Sequence, residues 1–164
     1  MTPSCEFVAP IRRSKEVKAV CAALRALVDR GELRAFHEGK LRVGRMHIDL
    51  EWPDGRLSRL RIDIESATLT FAGFLEAGAG SALYRDLKGL LRAAQAPSRD
   101  TVRIDPARAM LRVTEQAGTV SLSIIVTRGE YEYCARRLIE LAREAVALAP
   151  EASFRTTSHP PLYA

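Results

Sequence analysis

The chain has 164 residues, of which 47% are hydrophobic and 27% charged, and its formal net charge is +5. This composition predicts one globular domain with a buried core and excludes a disordered or fibrous chain. No apolar run reaches the roughly 20 residues that span a bilayer, and the first residues lack the apolar stretch of a secretory signal. We therefore expect a cytoplasmic protein without a membrane partner.

The three cysteines, Cys5, Cys21 and Cys134, are an odd number and form no C-x-x-C pair. Their spacing predicts neither a disulfide framework nor a zinc finger. Cys21 and Cys134 fall on predicted apolar helical faces, where a free cysteine acts as a small hydrophobic residue. We accordingly predict no metal and no cofactor.

The predicted domain covers residues 14–150, between a flexible N-terminus at 1–13 and a flexible tail at 151–164. Ser14 is a good helix N-cap, and the apolar residues that follow it recur at helical spacing. Gly31 is the type of residue that commonly follows the end of a helix. The pattern thus predicts a first helix between these two residues.

Alternation of apolar and charged residues predicts a β-hairpin on either side of Pro53-Asp54-Gly55. We expect Leu50 to pair with Leu60 on its apolar face. The same register brings potential opposite charges together on the outer face, and this favours a ladder of solvated ion pairs over a metal site. The expected pairs are Glu51–Arg59, Asp49–Arg61, His47–Asp63 and Arg45–Glu65. Gly44 is expected to mark a turn or bulge before the hairpin.

A third strand is predicted at 67–72, followed by a glycine-rich loop at 73–80 and a helix capped by Ser81. The loop lies where a phosphate-binding loop would lie, but Ala79 occupies the place of the Walker lysine. A flexible connector is therefore the favoured interpretation. The alternative is an anion site formed by Gly78, Gly80 and Ser81, since helix N-termini attract anions.

A short strand is predicted around Val102 and Ile104, and a second hairpin pairs Leu111 with Ile124 across a turn at 116–119. Helical spacing then predicts a long helix over 131–149. Together these elements predict an α+β fold, in which one antiparallel sheet of two hairpin units packs with three helices. The predicted order is α-β-β-β-α-β-β-α.

The sequence contains no G-x-S-x-G elbow, and its three histidines fall in a loop, on an outward strand position and in the tail. Because no nucleophile, base and acid converge, we predict that the protein is not an enzyme. The densest basic cluster is Arg12, Arg13, Lys15 and Lys18, and it keeps a nucleic-acid or polyanion-binding module as an alternative.

The order of elements over about residues 14–150 resembles the fold shared by type III secretion chaperones and the YbjN family. Its most similar parts are AMLRVTEQAGTVSLSIIV at 109–126 and YEYCARRLIELAREAVALAPE at 131–151. The resemblance implies a bacterial protein with a dimer helix and a sheet that holds a segment of a partner. By that resemblance Leu83, Leu87 and Leu90 would lie on the dimer helix, and Met110 and Ile125 would mark a contact patch.

The leading hypothesis is thus a non-enzymatic protein-binding protein, chaperone-like or adaptor-like, with a homodimer as one form of it. Three alternatives stay open. They are a basic module for nucleic acid or another polyanion, a toxin immunity protein, and a small enzyme with an anion site at the 73–81 loop.

Overall fold

The computed structural model describes residues 14–95 and 111–148. Within them the chain forms three helices and six strands, and the predicted α+β fold is confirmed. The predictions for 1–13, for Val102 and Ile104, for Met110 and for the tail at 151–164 lie outside the described residues. The helices are α1 (Lys15–Asp29), α2 (Ala82–Gln95) and α3 (Tyr131–Leu148). The strands are β1 (Ala35–Glu38), β2 (Arg45–Glu51), β3 (Leu57–Asp63), β4 (Thr68–Glu76), β5 (Leu111–Gln116) and β6 (Thr119–Ile125).

The six strands form one antiparallel sheet in the order β1-β2-β3-β4-β6-β5. Buried residues alternate with exposed or half-buried residues along β2, β3 and β6, so one face of the sheet carries the core. Helix α3 contacts α1, α2 and β6, and α2 also contacts β5. The helices therefore form a layer on the apolar face, and the opposite face of the sheet is polar.

The predicted order of elements lacks strand β1, which is a correction to the sequence analysis. Ala35–Glu38 pairs with β2 at the edge of the sheet. This strand has only four residues, and its first two are half-buried while its last two are exposed. Because it lacks the alternation of a half-buried strand, the pattern could not reveal it. The predicted turn at Gly44 is confirmed, since Val43 and Gly44 both have positive φ, 52° and 75°.

The predicted register of the first hairpin is wrong by two residues. Leu50 pairs with Ser58, and Ile48 pairs with Leu60. The turn explains the shift: the Trp52 N–H donates to the Arg56 carbonyl at 2.8 Å, and this closes a three-residue loop with Gly55 at φ 91°. A shift of two residues leaves every side chain on its predicted face. The outer ion pairs become Asp49–Arg59, Arg45–Asp63 and Arg34–Glu51.

The predicted loop at 73–80 is wrong over its first four residues, because β4 continues to Glu76. Phe74 and Leu75 are buried, and the strand accommodates them with a register shift between Phe71 and Leu75. The register of the second hairpin is confirmed, with Leu111 opposite Ile124. A two-residue turn at Ala117–Gly118, where φ is 53° and 81°, sets that register.

The helix starts follow from local hydrogen bonds. The Ser14 hydroxyl accepts from the Val17 N–H at 3.1 Å, and the Ser81 hydroxyl accepts from the Tyr84 N–H at 3.1 Å, so both predicted caps are confirmed. Cys21 and Cys134 are buried, as predicted, and they form no disulfide with each other. Among the helices in the described residues, none has both the length and the apolar character needed to cross a membrane.

Candidate functional site

Helix α2 carries an apolar stripe that the rest of the chain covers only in part. Leu87 is 1% exposed and belongs to the core. Leu83, Leu90 and Leu91 touch the core but are only partly buried. Of the three leucines predicted for a dimer helix, Leu83 and Leu90 therefore retain accessible surface, whereas Leu87 contributes to internal packing.

A groove of about 610 Å³ lies between α2 and α3. Its apolar lining comes from Leu90, Ala93 and Ala94 of α2 and from Leu141 and Ala147 of α3. Leu141 is almost fully buried, while Ala93 and Ala147 are exposed. The groove thus joins the exposed stripe of α2 to the core, and we call it the α2–α3 groove.

The charged residues of the α2–α3 groove are mostly paired. Arg137 bonds to Glu140 within α3, and Arg143 bonds to Glu32, which follows α1. Glu144 is exposed, and in the described part of the chain no cation pairs with it. The groove is therefore an apolar strip bordered by ion pairs, and the Glu144 carboxylate has no ion-pair partner among the described residues.

The Nε–H of Arg137 is buried and has no hydrogen-bond acceptor among the described residues. A buried donor without a partner costs about 1–3 kcal/mol of free energy. The Nη1 of the same side chain donates to the Glu140 carboxylate. The wall of the groove therefore includes an unsatisfied donor next to a satisfied one.

The predicted anion site maps onto the turn before α2. The Gly78 carbonyl accepts from both the backbone N–H and the hydroxyl of Ser81, at 3.0 and 2.7 Å. The Ser81 hydroxyl in turn caps the Tyr84 N–H. Gly78 and Gly80 are exposed, and a Cβ at either position would meet no atom within 4 Å. The local bonds thus account for Ser81 as a helix cap.

His37 and His47 lie on the polar side of the sheet, where His37 faces Asp49 and His47 faces Arg61. Burial, and after it the charges of Arg59 and Arg61, lower the pKa of His47 below its ordinary value. Over residues 14–95 and 111–148, no group of three or more His, Cys, Asp and Glu side chains is arranged to hold a metal ion. These histidines are remote in the fold from the α2–α3 groove, which lies in the helical layer.

Ile125, predicted to mark a contact patch, ends β6 and is 38% exposed on the polar face of the sheet. It lies opposite Thr68. Met110, its predicted companion, lies outside the described residues. Ile125 and the α2 leucines are therefore on opposite sides of the sheet and do not form one patch.

Sequence reasoning missed the charged residues of the α2–α3 groove. Arg143 and Glu32 are 111 residues apart, so no spacing in the sequence connects them. The helical period of α2 was the usable signal, because it identified the leucine stripe that borders the groove.

No protein-family model, no curated protein and no solved structure matches the chain. The resemblance to secretion chaperones and the YbjN family accordingly stays a prediction. What the fold and the site define is a two-layer α+β protein with a partly covered helix at one side of its helical layer.

Proposed function

We propose that the chain is a non-enzymatic, chaperone-like or adaptor-like protein that binds another protein through α2 and the α2–α3 groove. One observation carries the proposal: among residues 82–94 of α2 only Leu87 is buried, although Leu83, Leu90 and Leu91 continue the same apolar stripe. A partner that covers this stripe would remove apolar surface from water, which contributes about 25 cal/mol per Å².

The short length of α2 and its few buried side chains support the proposal. An isolated helix shorter than about 12–15 residues is marginal in water, so most helical stability comes from packing of the apolar face. Helix α2 has 14 residues and one Gly in its interior, Gly89. Contact with a partner would supply packing that the described residues do not give to this helix.

The chemistry of the groove favours a protein over a reactive small molecule. The described residues that line it are Leu, Ala, Arg and Glu, and none of them is Ser, Thr, Cys or His. Two of its carboxylates are already ion-paired to arginines. An apolar strip between helices is the surface on which an amphipathic helix docks, with its apolar side chains spaced at i, i+3 and i+4. A second copy of α2 is one such helix.

The proposed location is the cytoplasm. Cys21 and Cys134 are buried in separate helices and form no disulfide with each other. Buried cysteines without a disulfide suit a reducing compartment.

A photo-crosslinking amino acid at Ala93, an exposed residue of the groove, tests the proposal in living cells. We expect a cross-linked adduct with a protein, and we expect Leu90→Lys in the same chain to remove it, because a charge would then occupy the apolar stripe. The matched control places the crosslinker at Arg25, which is exposed on α1.

An adduct of twice the chain mass would identify a homodimer, and a different mass would identify a heterologous partner. Absence of any adduct, or equal adducts from Ala93 and Arg25, would overturn the proposal. Circular dichroism of the Leu90→Lys protein verifies that a lost adduct does not reflect unfolding.

A further inference from the structure

Four residues on the polar face of the sheet form a row across four neighbouring strands. Arg61 of β3 lies opposite Thr70 of β4, Thr70 lies opposite Ser123 of β6, and Ser123 lies opposite Arg112 of β5. We call these four residues the arginine row. It contains two guanidinium groups and two hydroxyl groups, and no carboxylate.

The carboxylates of β2 and β3 on this face already have cationic partners, at 2.8 to 3.3 Å. Arg61 and Arg112 are both exposed, and within residues 14–95 and 111–148 neither takes part in an ion pair. Among the described residues, neither guanidinium group of the arginine row therefore has an ion-pair partner. The paired carboxylates are Asp49 with Arg59, Asp63 with Arg45, and Glu51 with Arg34.

His47 of β2 lies opposite Arg61 and extends the row by one strand. Its pKa lies below the ordinary value, because of burial and then of the charges of Arg59 and Arg61. A histidine with a lowered pKa is mostly neutral at pH 7. The positive charge of the row is thus confined to Arg61 and Arg112, at its two ends.

The spacing of these two charges fits an extended peptide. Neighbouring strands lie about 4.8 Å apart, so three strand intervals place the backbones of Arg61 and Arg112 about 14 Å apart. In an extended chain, residues i and i+4 project to the same side and lie about 13 Å apart. Two acidic side chains at that separation would each meet one guanidinium, and Thr70 and Ser123 would face residue i+2 between them.

Nucleic acid fits this face less well. Binding of single strands combines positive charge with aromatic side chains on which the bases stack. The described strands expose no Phe, Tyr or Trp on this face, since Phe71, Phe74 and Trp52 are buried in the core. A peptide whose backbone and acidic side chains use only polar contacts needs no such platform.

We propose that the arginine row binds an extended acidic segment of a partner protein, with Asp or Glu at positions i and i+4. This inference rests on the proposed protein-binding function and names the chemistry of one partner segment. Its surface lies on the opposite side of the sheet from the α2–α3 groove, so each contact can be tested without the other.

The test is an NMR titration of the isotope-labelled full chain with the peptide GSESGSESG at low salt. We expect saturable shifts of the Thr70 and Ser123 amides, with a dissociation constant on the order of 1 mM. Arg61→Gln combined with Arg112→Gln should weaken binding at least about fivefold, because charge-assisted hydrogen bonds to both carboxylates are lost.

Two controls sharpen the test. Lys18→Gln combined with Arg25→Gln removes the same charge from exposed positions of α1 and should leave binding unchanged. The peptide GSEGSEGSG carries the same charge at i and i+3, which point to opposite sides, and should bind several-fold more weakly.

Three outcomes would overturn the inference: no shifts on the sheet face, equal binding by the Arg61/Arg112 double variant, or tighter binding of oligothymidylate to the same amides. The crosslink at Ala93 reports separately on the groove. If the peptide does not bind but the Ala93 crosslink still forms, the proposal for the arginine row is refuted and the proposed protein-binding function is not.

Discussion

Helices α2 and α3 are both amphipathic in sequence, yet they differ in how many of their residues are buried. Eight of the 18 residues of α3 are buried, from Tyr131 to Ala145. Of residues 82–94 in α2, Leu87 alone is buried. The reason is position: α3 packs against α1, α2 and β6, whereas α2 contacts α3 and the edge strand β5. An amphipathic pattern indicates that a helix has an apolar face to bury. The elements that pack against the helix determine how much of that face is buried within the chain.

The largest expected effect comes from α3. Leu138 is fully buried, so Leu138→Ala should lower the free energy of unfolding by about 3 kcal/mol, through lost burial and a residual cavity. Urea denaturation followed by circular dichroism measures it. Leu148→Ala is the matched control, because Leu148 is 47% exposed on the same helix and should cost less than about 0.5 kcal/mol. Similar losses for the two variants would contradict the assigned burial.

Hydrogen exchange compares the two helices directly. Amide protection in α2 should be at least about tenfold lower than in α3, because few buried contacts oppose local opening of α2. Exchange measured by NMR on the unmodified chain gives this ratio. Equal protection in α2 and α3 would mean that α2 is held as firmly as the core and would remove the contrast.

A smaller effect is expected at the start of α2. The Ser81 hydroxyl caps the Tyr84 N–H, so Ser81→Ala should cost about 1 kcal/mol. Because only one of residues 82–94 in α2 is buried, the loss should appear as about fivefold faster exchange in α2, with α3 unchanged. Ser81→Asp retains a capping acceptor and should restore protection. A uniform loss of protection over both helices would show that α2 opens only together with the core.

The smallest expected effect is a gain. A Cβ at Gly89, in the interior of α2, would meet no atom within 4 Å. Gly89→Ala should therefore raise stability by about 0.5–1 kcal/mol, since alanine loses less conformational freedom in a helix than glycine. Thermal unfolding and exchange of the α2 amides measure the change. Ala93→Gly, at an exposed position of the same helix, should change both quantities in the opposite direction.

The two hairpins show that alternation predicts strands and their buried faces but does not determine their register. Alternation predicts both hairpins, and the predicted register is confirmed for Leu111–Ile124 but wrong for Leu50. A shift of two residues preserves the buried face, so alternation alone cannot distinguish the two registers. The turn decides instead: the loop before Arg56 has three residues, whereas the Ala117–Gly118 turn has two.

In the candidate site, too, the sequence pattern predicts one part and tertiary packing determines the other. Helical spacing predicted Leu83 and Leu90 on one face of α2, and both retain exposed surface. The same spacing included Leu87, which the fold assigns to the core. The spacing could not distinguish these leucines because their burial depends on the residues of α3 and β5 that pack against them.

Local residue patterns define the kinds of elements and their faces: helices form where apolar residues recur every three or four positions, and strands form where they alternate. These are properties of neighbouring residues, and each follows from the local geometry of the backbone. Long-range packing leaves the apolar stripe of α2 partly exposed and brings Glu32 to Arg143. It also aligned Arg61 and Arg112 in one row. Contacts between distant residues depend on turn geometry, strand register and helix packing, which no local period encodes.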